Sequence, residues 1–126
     1  MNFGSFAVTG GAGTAAIDPS TGARTVSGGL FQAGATGFHP ASLNVLLCGG
    51  AGPLRFDVVL PPSASLTGSD GAAMTVDAFT SSPSGTGIGG STVTPAVLNL
   101  GATLHVGANQ AAGSYSGTFM VTVVPE

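Results

Sequence analysis

The stretch Ala96–Val106, AVLNLGATLHV, decides the fold class of this chain. Every second residue in it is apolar: Ala96, Leu98, Leu100, Ala102, Leu104 and Val106. Successive side chains of a β-strand point to opposite faces, so this period predicts a strand with one face in the core and His105 on its polar face. The strand is long enough to bend at Gly101, because a residue without a side chain tolerates a change of direction.

The same period of two recurs along most of the chain, and the segments that carry it are predicted to be strands. The C-terminal run places on one face Tyr115, Gly117, Phe119, Val121 and Val123. Further candidates lie at residues 3–8, 14–18, 24–27, 43–48, 54–60 and 74–78. We expect the segment 43–48 to form a hairpin with 54–60, and Ser84–Ser91 to be a flexible loop.

Glycine and proline argue against helices. The chain of 126 residues contains 22 glycines and 8 prolines, which leave no window of about 12 residues with a helical period. Seven or eight short strands separated by turns fit an immunoglobulin-like β-sandwich, and a small barrel is the alternative. We therefore predict an all-β fold with a single domain over residues 1–126.

The charge composition limits the classes of partner. Charged residues make up 6% of the chain, against about 25% in a typical soluble domain. There is no lysine, and Arg24 and Arg55 are the only permanent cations, so no basic patch exists for nucleic acid or for anionic lipids. No apolar run approaches the roughly 20 residues of a membrane span, so we expect no membrane insertion. Cys48 has no intrachain cysteine partner, and we expect it to be buried as a small hydrophobe.

Motifs that resemble known functional sites lack the residues that their chemistry needs. The run Gly11–Ala16 imitates a dinucleotide-binding turn, but Pro19 interrupts any helix after it and no acidic residue follows at the required distance. We therefore predict a plain glycine-rich turn there. His39, Cys48 and His105 are too scattered along the chain to predict a metal site.

Two further stretches have simple interpretations. In Gly113–Gly117 a tyrosine stands where a hydrolase has its nucleophilic serine, so the stretch is not a nucleophile elbow. Asp70–Gly71 is typical of a turn. We accordingly predict that the chain is not an enzyme, with no catalytic residues and no cofactor or metal.

The terminal strands lack the charges that normally protect the edge of a sheet. No charged side chain occurs in residues 3–8 or in residues 114–124. Such edges can accept a strand from another chain. The alternative is that the two terminal strands pair with each other or with neighbouring strands.

Several segments, taken in order, resemble a family of secreted bacterial proteins called domain of unknown function 4402. They are NFGSFAV at 2–8, IDP at 17–19, RTVSGG at 24–29, MTV at 74–76, FTSSP at 79–83, the stretch 98–106, and AAGSYSGTF at 111–119. Each motif is short, but together they cover nearly the whole chain.

This resemblance implies a pilin-like sandwich and a structural role in a surface fibre or coat. It also implies a secreted or cell-surface location, a homo-oligomer or strand-donating neighbour as partner, and assembly assisted by a periplasmic chaperone. A strand from the next subunit would fill a groove left by a missing strand. The groove residues that we predict are Tyr115, Phe119, Val121, Val123, Phe3 and Phe6.

The chain departs from the expected family pattern at its beginning. Members are expected to carry an apolar, alternating strand before the Asn2–Gly4 motif, whereas only Met1 precedes the motif here. Either that segment has been removed, or this chain does not polymerise in that way. The alternative function is a monomeric adhesin-type module that binds a ligand or a carbohydrate through the loops 31–40 and 84–91.

Overall fold

The fold is built from two antiparallel sheets, and the computed structural model describes residues 1–32, 37–49 and 54–125. The described residues form ten strands and no helix: β1 Phe6–Ile17, β2 Arg24–Gln32, β3 Ala41–Val45, β4 Arg55–Val59, β5 Ser63–Gly68, β6 Ala73–Ser82, β7 Ile88–Gly89, β8 Ala96–Val106, β9 Tyr115–Ser116 and β10 Thr122–Pro125. The larger sheet has the order β2-β1-β8-β6-β5-β9, with β3 also paired to β8, and the smaller has the order β10-β4-β7. The predicted all-β, sandwich-like fold is confirmed. Nothing helical in these ranges has the length and apolar character needed to cross a membrane.

β8 is the central strand of the larger sheet, and its predicted period is confirmed. The side chains of Leu98, Leu100 and Leu104 are at most 2% exposed, whereas His105 is exposed on the opposite face. One edge of β8 pairs with β1 along residues 103–106 and with β3 along residues 96–100, and the other edge pairs with β6. β8 therefore joins three strands into one sheet.

Gly101 lies where β8 changes partner from β1 to β3. An ideal Cβ placed on this residue would collide with the backbone oxygen of Ile17 and would lie 2.8 Å from Cδ of Pro19. β1 ends at Ile17, so its chain leaves the sheet directly over Gly101. The missing side chain is what allows this close crossing of two backbones.

Two apolar clusters form the core, and β8 contributes to both. The first contains Ala15, Leu30, Met74, Val76, Ala102, Leu104 and Val106. The second contains Val45, Leu47, Phe56, Val58, Ile88 and Leu98. The first cluster lies on the larger sheet, and the second brings β3 and β8 against the smaller sheet.

The prediction of a glycine-rich turn at Gly11–Ala16 was wrong, because these residues lie inside β1. The pairing of β1 with β2 shifts register between Val8 and Gly13, so the chain bulges there. An ideal Cβ on Gly28 of β2 would lie 2.5 Å from the backbone oxygen of Ala12. The glycines on the two strands therefore serve the close approach of two backbones at a bulge.

The predicted hairpin between 43–48 and 54–60 was also wrong. β3 pairs with β8, and β4 pairs with β10 and β7. The two segments still meet face to face, because Val45 and Phe56 belong to the same core cluster. The alternation of apolar residues identifies the buried face of each strand, but it carries no information about the strand's hydrogen-bonded partner.

Two local expectations need correction, and one is confirmed. Ser84–Ser91 is more than a loop, because it contains β7 with Ile88 buried in the second cluster. Cys48 is exposed, and the buried residue next to it is Leu47, which lies in the second cluster. The predicted turn at Asp70–Gly71 is confirmed: Oδ1 of Asp70 accepts the amide of Ala72 at 3.2 Å in the connection from β5 to β6.

We predict that Gly101→Ala destabilises the fold by about 1–3 kcal/mol, the usual cost of forcing an extra methyl group into a packed site. Urea denaturation followed by circular dichroism measures the loss. Gly49→Ala is the matched control, because no atom lies within 4 Å of a Cβ at that exposed glycine. Equal midpoints for the two variants would contradict the role assigned to Gly101.

Candidate functional site: an open groove over the core

A groove of about 760 Å³ opens onto the first core cluster. Its floor consists of side chains from the larger sheet: Leu66, Met74, Val76 and Leu104. One wall is the segment Met1–Val8, and the other is the segment Gln110–Phe119. The groove therefore exposes part of an apolar core between two segments from opposite ends of the chain.

Both walls contain a strand that is paired on one side. Residues Phe6–Val8 of β1 pair with β2, and the pairing of β1 with β8 begins only at Gly13. On the other wall, β9 pairs with β5. Among the described residues no strand pairs with the second edge of either segment. Each wall thus has a backbone edge with hydrogen-bonding capacity for a further strand.

A tyrosine network fixes the second wall. The hydroxyl of Tyr115 donates to the carbonyl oxygen of Ala111 at 2.6 Å, and Nε2 of Gln110 donates to the Tyr115 oxygen at 3.0 Å. The same Nε2 donates to the carbonyl oxygen of Ala73 at 3.2 Å, which ties the wall to β6. Gly68 leaves room for the ring, since a Cβ there would lie 2.7 Å from Cε2 of Tyr115.

An aromatic pair holds the C-terminal end of the same wall. The rings of Phe79 and Phe119 have centroids 4.9 Å apart and are tilted by 38°, within the range of favourable aromatic pairs. Phe79 also packs against the first core cluster. Phe119 is thereby anchored to β6 although no strand includes it.

The first wall is held by Arg24, whose side chain is 8% exposed. Its Nη1 donates to the carbonyl oxygens of Phe3 at 2.9 Å and Ser5 at 3.1 Å. Arg24 follows the turn between β1 and β2, in which Oδ1 of Asp18 accepts the amide and the hydroxyl of Ser20. β2 begins at Arg24, so the turn determines the position of this residue.

The groove carries no formal charge on its lining side chains. None of the described lining residues is Asp, Glu, Lys, Arg or His. The hydrogen bond between His105 Nε2 and Asp77 Oδ1, at 2.6 Å, involves two half-exposed side chains on the outer face of the larger sheet. An occupant of the groove would therefore contact the apolar side chains of the floor, together with backbone groups and uncharged polar side chains of the walls such as Asn2, Gln110 and Thr118.

Four of the six predicted groove residues line this groove, namely Phe3, Phe6, Tyr115 and Phe119. The other two, Val121 and Val123, pack against the second core cluster. In the C-terminal run Tyr115, Phe119, Val121 and Val123 are half-buried as predicted, whereas Gly117, which was predicted on the same face, is exposed. It is nevertheless not one strand, because the chain crosses from β9 in the larger sheet to β10 in the smaller one.

Sequence reasoning missed the contributions of Arg24 and Gln110 to the walls. Both act through hydrogen bonds to backbone carbonyls that are distant in the chain, and no local pattern reports such bonds. A faint signal existed for Arg24, since an arginine in a chain with only two cations is a candidate for a specific contact.

The other sites considered from the sequence, the metal ligands and the two loops, do not contribute to the groove lining in the described part of the chain. No group of three or more His, Cys, Asp and Glu residues comes together there to hold a metal. Of the loop 31–40, residues 33–36 lie outside the described ranges. The loop 84–91 is tied to β4, where the amide of Gly87 donates to Oδ1 of Asp57 at 2.7 Å.

These features define the class of the protein, an all-β domain with an open apolar groove between two strand edges. Comparison with known families then places it more narrowly. The family described as domain of unknown function (DUF4402) matches residues 1–124, and the chain belongs to this family. No curated protein and no solved structure matched the chain.

We predict that Tyr115→Phe lowers the free energy of unfolding by about 1 kcal/mol, because the variant keeps the ring but loses the bonds to Ala111 and Gln110. The shift of the urea midpoint measures this. Ser116→Ala, which removes an exposed hydroxyl from the same strand, is the control. An unchanged midpoint for Tyr115→Phe would show that the network does not fix the wall.

A second prediction concerns acid. The Ser20 hydroxyl, with the amides of Ser20 and Thr21, holds the pKa of Asp18 below its ordinary value of 3.8. The folded state therefore favours the charged carboxylate, and the stabilisation of the turn is complete above pH 3.8 and is lost as the pH falls through the lower folded pKa. An NMR titration of the Asp18 carboxyl carbon and the Ser20 amide measures it. Asp18→Asn should abolish this titration at Ser20, and a midpoint at or above 3.8 would contradict the prediction.

Proposed function

We propose that this chain is a non-catalytic structural subunit of a bacterial surface fibre or coat, and that it assembles by β-strand complementation. The observation that carries the proposal is the groove, in which an exposed part of the core lies between two unfilled backbone edges. A strand placed there would satisfy hydrogen-bonding groups on both walls and cover apolar floor residues at the same time. The proposed occupant is an uncharged, alternating strand of a second copy.

The chemistry of the groove supports a strand over a small polar ligand. None of its described lining side chains carries a formal charge, and its floor is apolar. A polar ligand normally needs a few convergent polar side chains that fix its orientation, and the wall amides of Asn2 and Gln110 already make hydrogen bonds within the chain. An extended strand instead uses main-chain bonds for affinity and alternate side chains for specificity.

The composition of the chain supports the same proposal. Sheet edges are normally defended by lysine or by inward-pointing charges, and this chain has no lysine. The segments Phe3–Val8 and Ser114–Val124 carry no charged side chain. Secretion, a surface location and a periplasmic chaperone are parts of this proposal that rest on the resemblance of the sequence to secreted family members.

We predict that the chain forms oligomers that grow with concentration, and that Thr118→Asp suppresses them. Thr118 is exposed and lines the groove, so an aspartate there places a charge in the path of an incoming strand without removing core packing. Size-exclusion chromatography with light scattering over a wide concentration range measures the effect. Phe119→Asp, at the end of the same wall, should act in the same direction.

Met120→Asp is the matched control, because Met120 is in the same segment but is 79% exposed and outside the groove. It should assemble as the parent does. Equal suppression by Thr118→Asp and Met120→Asp would contradict the groove as the site of assembly. A chain that remains monomeric at every concentration would contradict assembly of this chain alone and would favour the alternative, an adhesin-type binding module.

A further inference from the structure

The segment Met1–Ser5 forms part of a groove wall although it precedes the first strand. The amide of Asn2 donates to the carbonyl oxygen of His39 at 2.9 Å, and the amide of His39 donates to the carbonyl oxygen of Asn2 at 2.8 Å. Oδ1 of Asn2 accepts the amide of Gly4 at 2.8 Å. These contacts fix the beginning of the segment, and the residues that follow are contacted by Arg24.

The guanidinium of Arg24 lies between this segment and an aromatic ring. It donates to the carbonyl oxygens of Phe3 and Ser5, and its Cζ lies 4.5 Å from the centre of the Phe38 ring. Removing a cation from water is costly unless its donors are satisfied. Carbonyl oxygens and an aromatic face are both favourable neighbours for a guanidinium. The segment and the side chain therefore stabilise each other's position.

Gly4 is shaped to this contact. Its φ is +78°, where a residue with a side chain is strained. An ideal Cβ on Gly4 would also lie 2.5 Å from Nη1 of Arg24. The absence of a side chain at this position lets the backbone close over the guanidinium.

The side chains of the segment cover part of the core. Met1 and Phe3 pack against the first cluster, as do Phe6 and Val8 of β1. If the segment left this place, apolar floor residues would become accessible. The bonds to Arg24 therefore control how much of the core the groove exposes.

We propose that Arg24 is a positioning residue of the groove, a latch that holds Met1–Ser5 against the core as part of one wall. With the latch closed, the groove keeps its width, and the apolar surface that a strand of a second copy can reach is limited. The use of the groove by a second copy rests on the function proposed above, but the latch is a property of the single chain. The two are tested by different measurements.

Amide hydrogen exchange on the full chain tests the latch. In Arg24→Met, which keeps an apolar stem but no donor, the amides of Asn2, Gly4 and His39 should exchange roughly tenfold faster, since charged hydrogen bonds have been removed. The amides of β8 should keep their rates, because β8 is held by its pairing with β1, β3 and β6 and not by the Arg24 side chain. Arg24→Lys should fall between, since an ammonium keeps the charge but not the planar stacking group.

Arg55→Met is the matched control for the arginine. Arg55 is exposed, and its Nη1 also donates to a backbone carbonyl, that of Gly87 at 3.0 Å. It should leave the exchange of Asn2, Gly4 and His39 unchanged. Equal acceleration at these amides in the Arg24 and Arg55 variants would overturn the latch.

If Arg24→Met does not fold, Gly4→Ala tests the latch by changing the segment that Arg24 contacts. Its control is Gly71→Ala, which has a similar φ of +90° but no atom within 4 Å of a Cβ. The latch predicts faster exchange of Asn2 and His39 in Gly4→Ala and not in Gly71→Ala. Unchanged rates in Gly4→Ala, or acceleration that extends equally to β8, would overturn it.

Light scattering on the same samples separates the two proposals. Local acceleration of exchange in a chain that never assembles supports the latch and contradicts the strand-complementation function.

Discussion

Two strands share one edge of β8, and the absence of a side chain at Gly101 is what makes this possible. β1 pairs with the second half of that edge and then crosses over Gly101, while β3 takes the first half. β8 thereby reaches both core clusters, with Leu104 in the first and Leu98 in the second. The larger sheet can therefore accommodate β1 and β3 on one edge of β8 only through this close contact between backbones.

The groove follows from the way in which β1 is used. Its second half pairs with β8 on one side and with β2 on the other. Its first half pairs with β2 alone, and a register shift between Val8 and Gly13 separates the two halves. The larger sheet ends at β9 on the far side. Between the first half of β1 and β9, side chains of the two walls cover the first core cluster, and no further strand among the described residues lies over it. The pairing of β1 with β8 stops at Gly13 because β8 ends at Val106, and the first half of β1 therefore has no neighbour on that side, which leaves the core open.

The sequence predicted the buried faces well and the strand partners poorly. The alternation in Ala96–Val106 identified the central strand, because burial of one face leaves a period of two in the residue types. The hairpin 43–48 with 54–60 was wrong, because sequence neighbours that face each other across two sheets leave the same pattern as neighbours in one sheet. β5 was not predicted, since Leu66 is the only large apolar residue in it. Of the site, Tyr115 and Phe119 belong to the alternating C-terminal run, and the groove itself was implied by the resemblance to the family, whereas Arg24 and Gln110 act through distant carbonyl oxygens.

The two walls of the groove come from opposite ends of the chain, Met1–Val8 and Gln110–Phe119. Segments so far apart in sequence come together slowly, because a long stretch of chain must be ordered before both are in place. During synthesis the first wall and the apolar floor exist before the second wall has been made. The nascent chain therefore passes through a stage in which one side of its core is uncovered, and the time spent in that stage sets its exposure to aggregation.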